Sequence, residues 1–183
     1  MPSALHVRPS SDSDMDSITA IYGHAVLTGT GTFELDAPPP DVMRQRRANV
    51  LARHWPWLVA ERDGVVLGYA YANDFRPRRA YRFCVENSIY VADHAKGEGV
   101  GRALLAELIT RCQARGARQM LAVIGDAANA GSIALHRSFG FLHCGKLEGA
   151  GWKFDRWLDV VLMQKSLGDG NHGPATDDPK PPL

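Results

Sequence analysis

Three glycines at alternate positions, Gly97, Gly99 and Gly101, stand directly before a helix-periodic apolar run in the stretch HAKGEGVGRALLAELI, His94 to Ile109. Glycine takes backbone angles that other residues resist and lets another molecule come close to the main chain. A helix start leaves several N–H groups unpaired and carries partial positive charge. A strand, a glycine-rich loop and a helix N-terminus in that order make an anion cradle, for phosphate in particular. The same glycines also suit a plain tight turn, and their spacing alone leaves both readings open. A P-loop NTPase needs Lys and a hydroxyl residue after its last glycine, whereas Arg102 and Ala103 follow Gly101. A dinucleotide fold places G-x-G-x-x-G in its first strand–helix turn; this loop lies past the middle of the chain and lacks the third glycine at that spacing.

The 183 residues are 45% hydrophobic and 22% charged, which suits one globular domain with a real core. A net charge of +1 supplies no global field to attract nucleic acid, so any anion must be held locally. No apolar run approaches the ~20 residues of a membrane span. The opening stretch MPSALHVRPSSDSDMD lacks the basic and apolar regions of a secretory signal. Cys84, Cys112 and Cys144 are odd in number and far apart, the pattern of reduced thiols in a cytoplasmic protein. The histidines show no metal-ligand spacing, and no metal site is expected.

Periodicity predicts a short strand at residues 5–8 and a capped amphipathic helix from the Ser/Asp cluster through Ile18, Ile21, Tyr22, Ala25 and Val26. A Gly-, Thr- and Pro-rich loop follows, then a helix over 41–54. The stretch WLVAERDGVVLGYAYAND reads as a hairpin about Asp63-Gly64. RAYRFCVENSIYVAD, residues 79–93, reads as one strand by its alternation. Val100, Leu104 and Leu108 mark a long helix that Gly116 caps. RQMLAVI is a strand, NAGSIALHRSFGF a short helix, and FLHCGKLE and WLDVVLMQKSL two closing strands. The expected fold is one α/β domain over 1–167, a mixed, mostly antiparallel sheet with helices on both faces. Residues 168–183, rich in Gly, Asp and Pro, are expected to form a disordered tail.

Lys96-Gly97-Glu98-Gly99-Val100-Gly101 resembles the acetyl-CoA pyrophosphate loop Arg/Gln-x-x-Gly-x-Gly/Ala of the GNAT acetyltransferase superfamily, with Lys96 in the first position. Asn129 to Phe141 is similar to the superfamily's second signature, N-x-x-S/A-x-x-L/F-Y-x-x-x-G-F, with His136 at the tyrosine position. Arg76-Pro77 through Tyr81-Arg82 and Val85-Glu86-Asn87-Ser88-Ile89-Tyr90-Val91, together with the closing KFDRWLDVV, resemble the branch of phosphinothricin N-acetyltransferases and related amino-acid N-acetyltransferases. Cys84 stands where that branch usually has Thr, and Arg78-Arg79 add charge. The likeness covers residues 5–167.

The resemblance implies direct acetyl transfer from acetyl-CoA to the α-amino group of a small amino acid such as phosphinothricin, methionine sulfoximine or methionine sulfone. A substrate ammonium must lose a proton before it attacks, and Glu86 is the expected general base. The backbone of Ile89, Tyr90 and Val91 is expected along the pantetheine arm, as in strand addition, with one N–H polarising the thioester oxygen. The loop from Lys96, Gly97 and Glu98 through Gly99, Val100, Gly101 and Arg102 is expected to hold the pyrophosphate. Asn129, Ser132 and His136 are expected nearby, Asn129 being equally suited to cap its helix. His136 occupies the place of the tyrosine that protonates the departing thiolate in many relatives.

For the acceptor, Arg76 and Arg82 suit carboxylate and phosphinate groups bidentately. Pro77, Arg78, Asn87 and Ser88 complete that side, while Phe33 walls the pocket and Lys153 and Trp157 close it. Core packing suits Phe33 and Trp157 equally well, and a solvated loop suits Arg78 and Arg79. The branch implies a homodimer that handles small molecules, not nucleic acid or membrane. Two alternatives stay open: an acetyltransferase for a protein N-terminus or polyamine, and a non-catalytic acyl-CoA sensor.

Overall fold

The computed structural model describes residues 3–175 and 179. In chain order the elements are β1 (His6–Pro9), α1 (Met15–Thr28), α2 (Pro40–Ala52), β2 (Trp57–Arg62), β3 (Val65–Asp74), β4 (Cys84–Val91), α3 (Val100–Ala114), β5 (Gln119–Gly125), α4 (Ala130–Ser138), β6 (Leu142–Lys153) and β7 (Arg156–Ser166). Among the described residues the strands form one seven-stranded sheet, ordered β1-β2-β3-β4-β5-β7-β6. Only β4 and β5 run parallel, because α3 returns the chain across the sheet between them.

Local chemistry accounts for most element ends. Asp63 and Gly64 both have positive φ, the two-residue turn whose twist suits a hairpin, so β2 and β3 pair directly. Before α1, Asp14 accepts from the Ser11 N–H at 2.7 Å and takes both guanidinium N–H groups of Arg8 at 2.8 Å. Met15, Ile18, Tyr22 and Val26 then share the buried face of α1. In α3 the buried stripe is Val100, Leu104, Leu105, Leu108 and Cys112. Gly116, one residue beyond the last turn, adopts φ +93, where a side chain would be strained.

Two expectations need correction. The strand expected over 79–93 begins only at Cys84; Arg79–Tyr81 is instead a short helical turn. Tyr81 therefore packs edge-on to Phe75 at 5.8 Å, and the Arg82 guanidinium lies 4.3 Å from the Phe83 ring centroid. The first closing strand runs on to Lys153, past an irregularity between Leu147 and Gly151. At the start of the expected tail, Gly170 is buried and its carbonyl accepts from Arg118 Nε at 2.7 Å. Residues 176–178 and 180–183 lie outside the described residues.

The pairing of β4 with β5 positions the site. It covers Cys84↔Gln119 to Asn87↔Ala122 and then stops. Beyond that point β4 continues against β3 alone, and β5 continues against β7 alone. The two strands splay apart, leaving one side of the Ser88–Val91 backbone without a strand partner.

Candidate active site

The splay opens a cleft of about 840 Å³. One wall is Asn87, Ser88, Ile89, Tyr90 and Val91 of β4; the other is Ala122–Gly125 of β5 and the start of α4. Lys96, Gly97, Gly99, Val100, Gly101 and Arg102 lie across one end, at the N-terminus of α3. Asn129, Ser132 and His136 line the α4 side. These residues come from four separate stretches of chain, and the fold gathers them round one opening.

Gly97 and Gly99 adopt φ +82 and +84, and nothing lies within 4 Å of a Cβ built on either. Backbone conformation, not crowding, asks for glycine there. The first intrahelical donor of α3 is Ala103 N, to Gly99 O at 2.9 Å, so the N–H groups of Val100, Gly101 and Arg102 precede the helix ladder. Glu98 stands apart from the lining: its carboxylate accepts from Arg62 Nη1 at 2.7 Å. Lys96 pairs with Asp93, which also accepts from His24 Nε2 at 2.7 Å. A helix mouth, a left-handed glycine loop and an open strand edge fit a long ligand carrying a pyrophosphate at one end and amide groups along its length.

Asn129 does cap α4, its Oδ1 accepting from Ser132 N at 3.2 Å, and it lines the cleft as well. His136 is buried at 4% exposure. Its Nδ1 lies 2.8 Å from the Ser132 carbonyl oxygen and its Nε2 2.9 Å from Asn87 Oδ1. Asn87 Nδ2 is committed to Leu121 O at 2.9 Å. Both ring nitrogens thus face oxygens, whereas a neutral imidazole has one N–H. Burial lowers the His136 pKa, while the Ser132 carbonyl pulls the other way.

Glu86 lies on the opposite face of β4 from Asn87, beside the point where the splay begins. Cys84, Ser88 and Tyr90 share its face, and Tyr71 stands opposite Ser88 on β3. Desolvation raises the Glu86 pKa, and the charge of Arg76 partly offsets this. Burial also pushes the Cys84 thiol up to about 11, which keeps it protonated near neutral pH. Arg76 stacks over Phe75 at 5.1 Å. Pro77, Arg78 and Arg82 are exposed or half-buried in the β3–β4 connection.

Besides Phe33, the loop after α1 supplies cleft lining that the sequence did not single out. Thr28, Gly29, Thr30 and Gly31 line the cleft, as do Asp126 and Ala128. Phe33 lies across glycines: a Cβ at Gly151 would stand 2.3 Å from its Cε2, and one at Gly125 would stand 3.0 Å from its Cε1. Lys153 is 3% exposed and donates to Thr32 O at 2.9 Å, so it anchors this loop from beneath. Trp157 does not pack in the core. It is 66% exposed, packed edge-on to Trp152 at 5.1 Å.

A sequence profile of the Acetyltransferase (GNAT) family matches residues 28–141. A phosphinothricin N-acetyltransferase of Alcaligenes faecalis is 52% identical over 169 residues, covering 92% of this chain and 85% of its own. An L-methionine sulfoximine/L-methionine sulfone acetyltransferase of Pseudomonas aeruginosa is 41% identical, covering 92% and 98%. The crystal structure of a GNAT superfamily phosphinothricin acetyltransferase from Sinorhizobium meliloti, in complex with acetyl-CoA, superposes with TM-score 0.93 at 44% identity, covering 99% of this chain and 97% of that one. Glycine loop, splayed sheet and sequence agree: the chain belongs to the GNAT acetyltransferase family.

Proposed function

We propose that the protein transfers acetyl from acetyl-CoA to the α-amino group of a small amino acid of the phosphinothricin, methionine sulfoximine or methionine sulfone type. The observation that carries this reading is the β4–β5 splay, which sets an open strand edge and the α3 mouth along one cleft; Glu86, on the other face of β4 where the splay begins, supports the choice of base. The relatives described above supply the acceptor class.

Acetyl-CoA supplies an activated thioester. The N–H groups at the start of α3 and the glycine loop hold its pyrophosphate, and the open edge of β4 holds its pantetheine arm. A β4 backbone N–H stabilises the oxyanion formed as the amine attacks. Glu86 takes the ammonium proton, directly or through water; its raised pKa makes it a stronger base than an exposed carboxylate. Arg76, with Arg82 and the Ser88 hydroxyl, receives the acceptor's anionic ends, while Asn87, expected here from the sequence, keeps its amide for Leu121 and His136. Phe33 bounds the acceptor. His136 lines the cofactor side of the cleft with both ring nitrogens held by the oxygens of Ser132 and Asn87, and the departing thiolate takes its proton from solvent.

The exposed side chains Leu142, Leu147, Trp152 and Trp157 on the β6–β7 hairpin favour a homodimer through this hairpin. Among the described residues no helix is long and apolar enough to cross a membrane. The scattered, unpaired Cys84, Cys112 and Cys144 favour a cytoplasmic enzyme, which would confer herbicide resistance where phosphinothricin is the acceptor.

The deciding experiment follows thiol release from acetyl-CoA with phosphinothricin, methionine sulfoximine, methionine sulfone, common amino acids, spermidine and a short peptide. Turnover concentrated on the first three, and lost in Glu86→Gln, is the expected result. Activity confined to spermidine or peptide would replace the acceptor class. Acetyl-CoA binding without turnover of anything would replace the enzyme by a sensor.

A further inference from the structure

Asp126 follows the last residue of β5, where three segments meet. It is 6% exposed, with a left-handed backbone at φ +66. Its Oδ1 accepts from Ala128 N at 2.9 Å and its carbonyl from Asn129 N at 2.9 Å, which fixes the turn into α4. Its Oδ2 accepts from Arg156 Nη2 at 2.7 Å, at the β6–β7 hairpin. The Thr30 hydroxyl sits beside the same carboxylate. The neighbouring Gly125 shows how tightly the loop is laid down: a Cβ there would stand 2.6 Å from Thr30 O and 3.3 Å from Gly31 C.

The loop that this cluster fastens has two faces. Gly29, Thr30 and Gly31 line the cleft beside Asn129, while Phe33, three residues past Thr30, lies across Gly125 and Gly151. Leu121, Val123 and Gly125 alternate onto the face of the sheet that carries Glu86, since Leu121 pairs with Glu86. A shift at Thr30 therefore moves the cleft wall and the Phe33 wall together.

We infer that Asp126 is a positioning residue for acetyl transfer. Clamped by Arg156, it fixes the 29–33 loop against the α4 turn and so sets the acceptor's approach to the thioester. Asp126 touches neither reacting atom in this arrangement; it acts through Thr30 and Phe33. The inference rests on the acetyl-transfer reading of the cleft given above. The 29–31 segment forms only one side of the acetyl-CoA cleft; the glycine loop, flanked by the Arg62–Glu98 and Lys96–Asp93 pairs, and the β4 edge, paired to β3, are held independently, so the acceptor responds more than the cofactor.

Asp126→Asn is the informative variant, because asparagine tolerates the left-handed backbone but loses the ion pair. Steady-state kinetics with acetyl-CoA and methionine sulfone should show acceptor kcat/KM reduced by about tenfold or more, as expected for a misplaced reactant. The CoA dissociation constant by calorimetry should stay within about twofold, a ratio well below the tenfold that one charged hydrogen bond is worth. Arg156→Gln should match it, the double variant should be no worse than either single one, and Arg156→Lys should restore most of the loss. Hydrogen exchange of residues 28–34 should quicken in Asp126→Asn while α3 stays protected. Unchanged acceptor kinetics, additive losses, or a parallel loss of CoA affinity would overturn the proposal. If the parent protein turns over no acceptor, exchange still decides: faster exchange confined to 28–34 upholds the clamp and overturns the acceptor class, and unchanged exchange overturns the clamp.

Discussion

Arg62 draws Glu98 out of the glycine loop with a 2.7 Å ion pair, so a carboxylate that sequence places at a phosphate site faces the β2–β3 hairpin instead. Arg62→Ala would release that charge toward the mouth of α3. The expected result is acetyl-CoA affinity weakened about three- to tenfold at low salt, less at high salt, since exposed charge interactions are modest and screened. Arg62→Ala combined with Glu98→Gln should recover it. Calorimetric titration of CoA at two ionic strengths checks both.

As the proposed base, Glu86 must be ionised to accept a proton, and burial raises its pKa. The acid limb of kcat/KM should therefore lie above the ordinary carboxylate value of about 4.3. Arg76 lowers that pKa by its charge, so Arg76→Gln should move the limb to higher pH as well as raising the acceptor KM. Glu86→Gln should reduce kcat by about 10²- to 10⁴-fold. A pH profile of the three proteins tests the set, and a limb that stays put in Arg76→Gln speaks against this base.

Gly151→Ala places a methyl 2.3 Å from the Phe33 ring, an overlap that must displace the ring or the strand. The expected cost is about 1–3 kcal/mol of stability, as for an overpacked site. The acceptor KM should rise more than the acetyl-CoA KM. Urea denaturation and two-substrate kinetics provide the readout. Phe33→Ala in the same background should recover stability but not the acceptor KM.

Asp14 is 5% exposed and its carboxyl is lowered to about 2, chiefly by the Arg8 hydrogen bonds. A depressed carboxyl stabilises the folded state above its unfolded pKa of about 3.9 and loses that contribution as pH falls through the folded value. The Arg8–Asp14 contribution, on the order of 2 kcal/mol at pH 7, should fade between about pH 4 and pH 2. Asp14→Asn should be destabilised at pH 7, and its deficit should shrink across that window. Denaturant titrations at pH 7 and pH 3 measure it.

Elements with a local signal were legible in the sequence. The Asp63-Gly64 turn, the stripe of α3 and the Asn129 cap each follow from neighbouring residues. Residues 79–82 were misread because their alternation mimics a strand; Arg82 over Phe83 and Tyr81 edge-on to Phe75 accompany a helical turn instead. The glycine turn before α3 was readable because backbone geometry there demands a residue type. The walls built from Thr30, Asp126 and Arg156 were not readable, since their roles come from contacts spanning 30 residues or more of chain, as between Arg156 and Asp126. Lys153 and Trp157 showed the same limit. Their motif said they matter, but only the fold shows that one holds a loop from beneath and the other faces solvent.

The arms of the splay answer to different neighbours, β3 on one side and β7 on the other. Changes in the β6–β7 hairpin and the loop seated on it can therefore alter which amine is admitted without touching the strand edge or the glycine turn. A lineage carrying this arrangement can exchange its acceptor by small mutational steps while its use of the common acetyl donor stays intact. Diversification should concentrate in Phe33, Gly151 and the residues around them, and spare Gly97, Gly99 and the far end of β4.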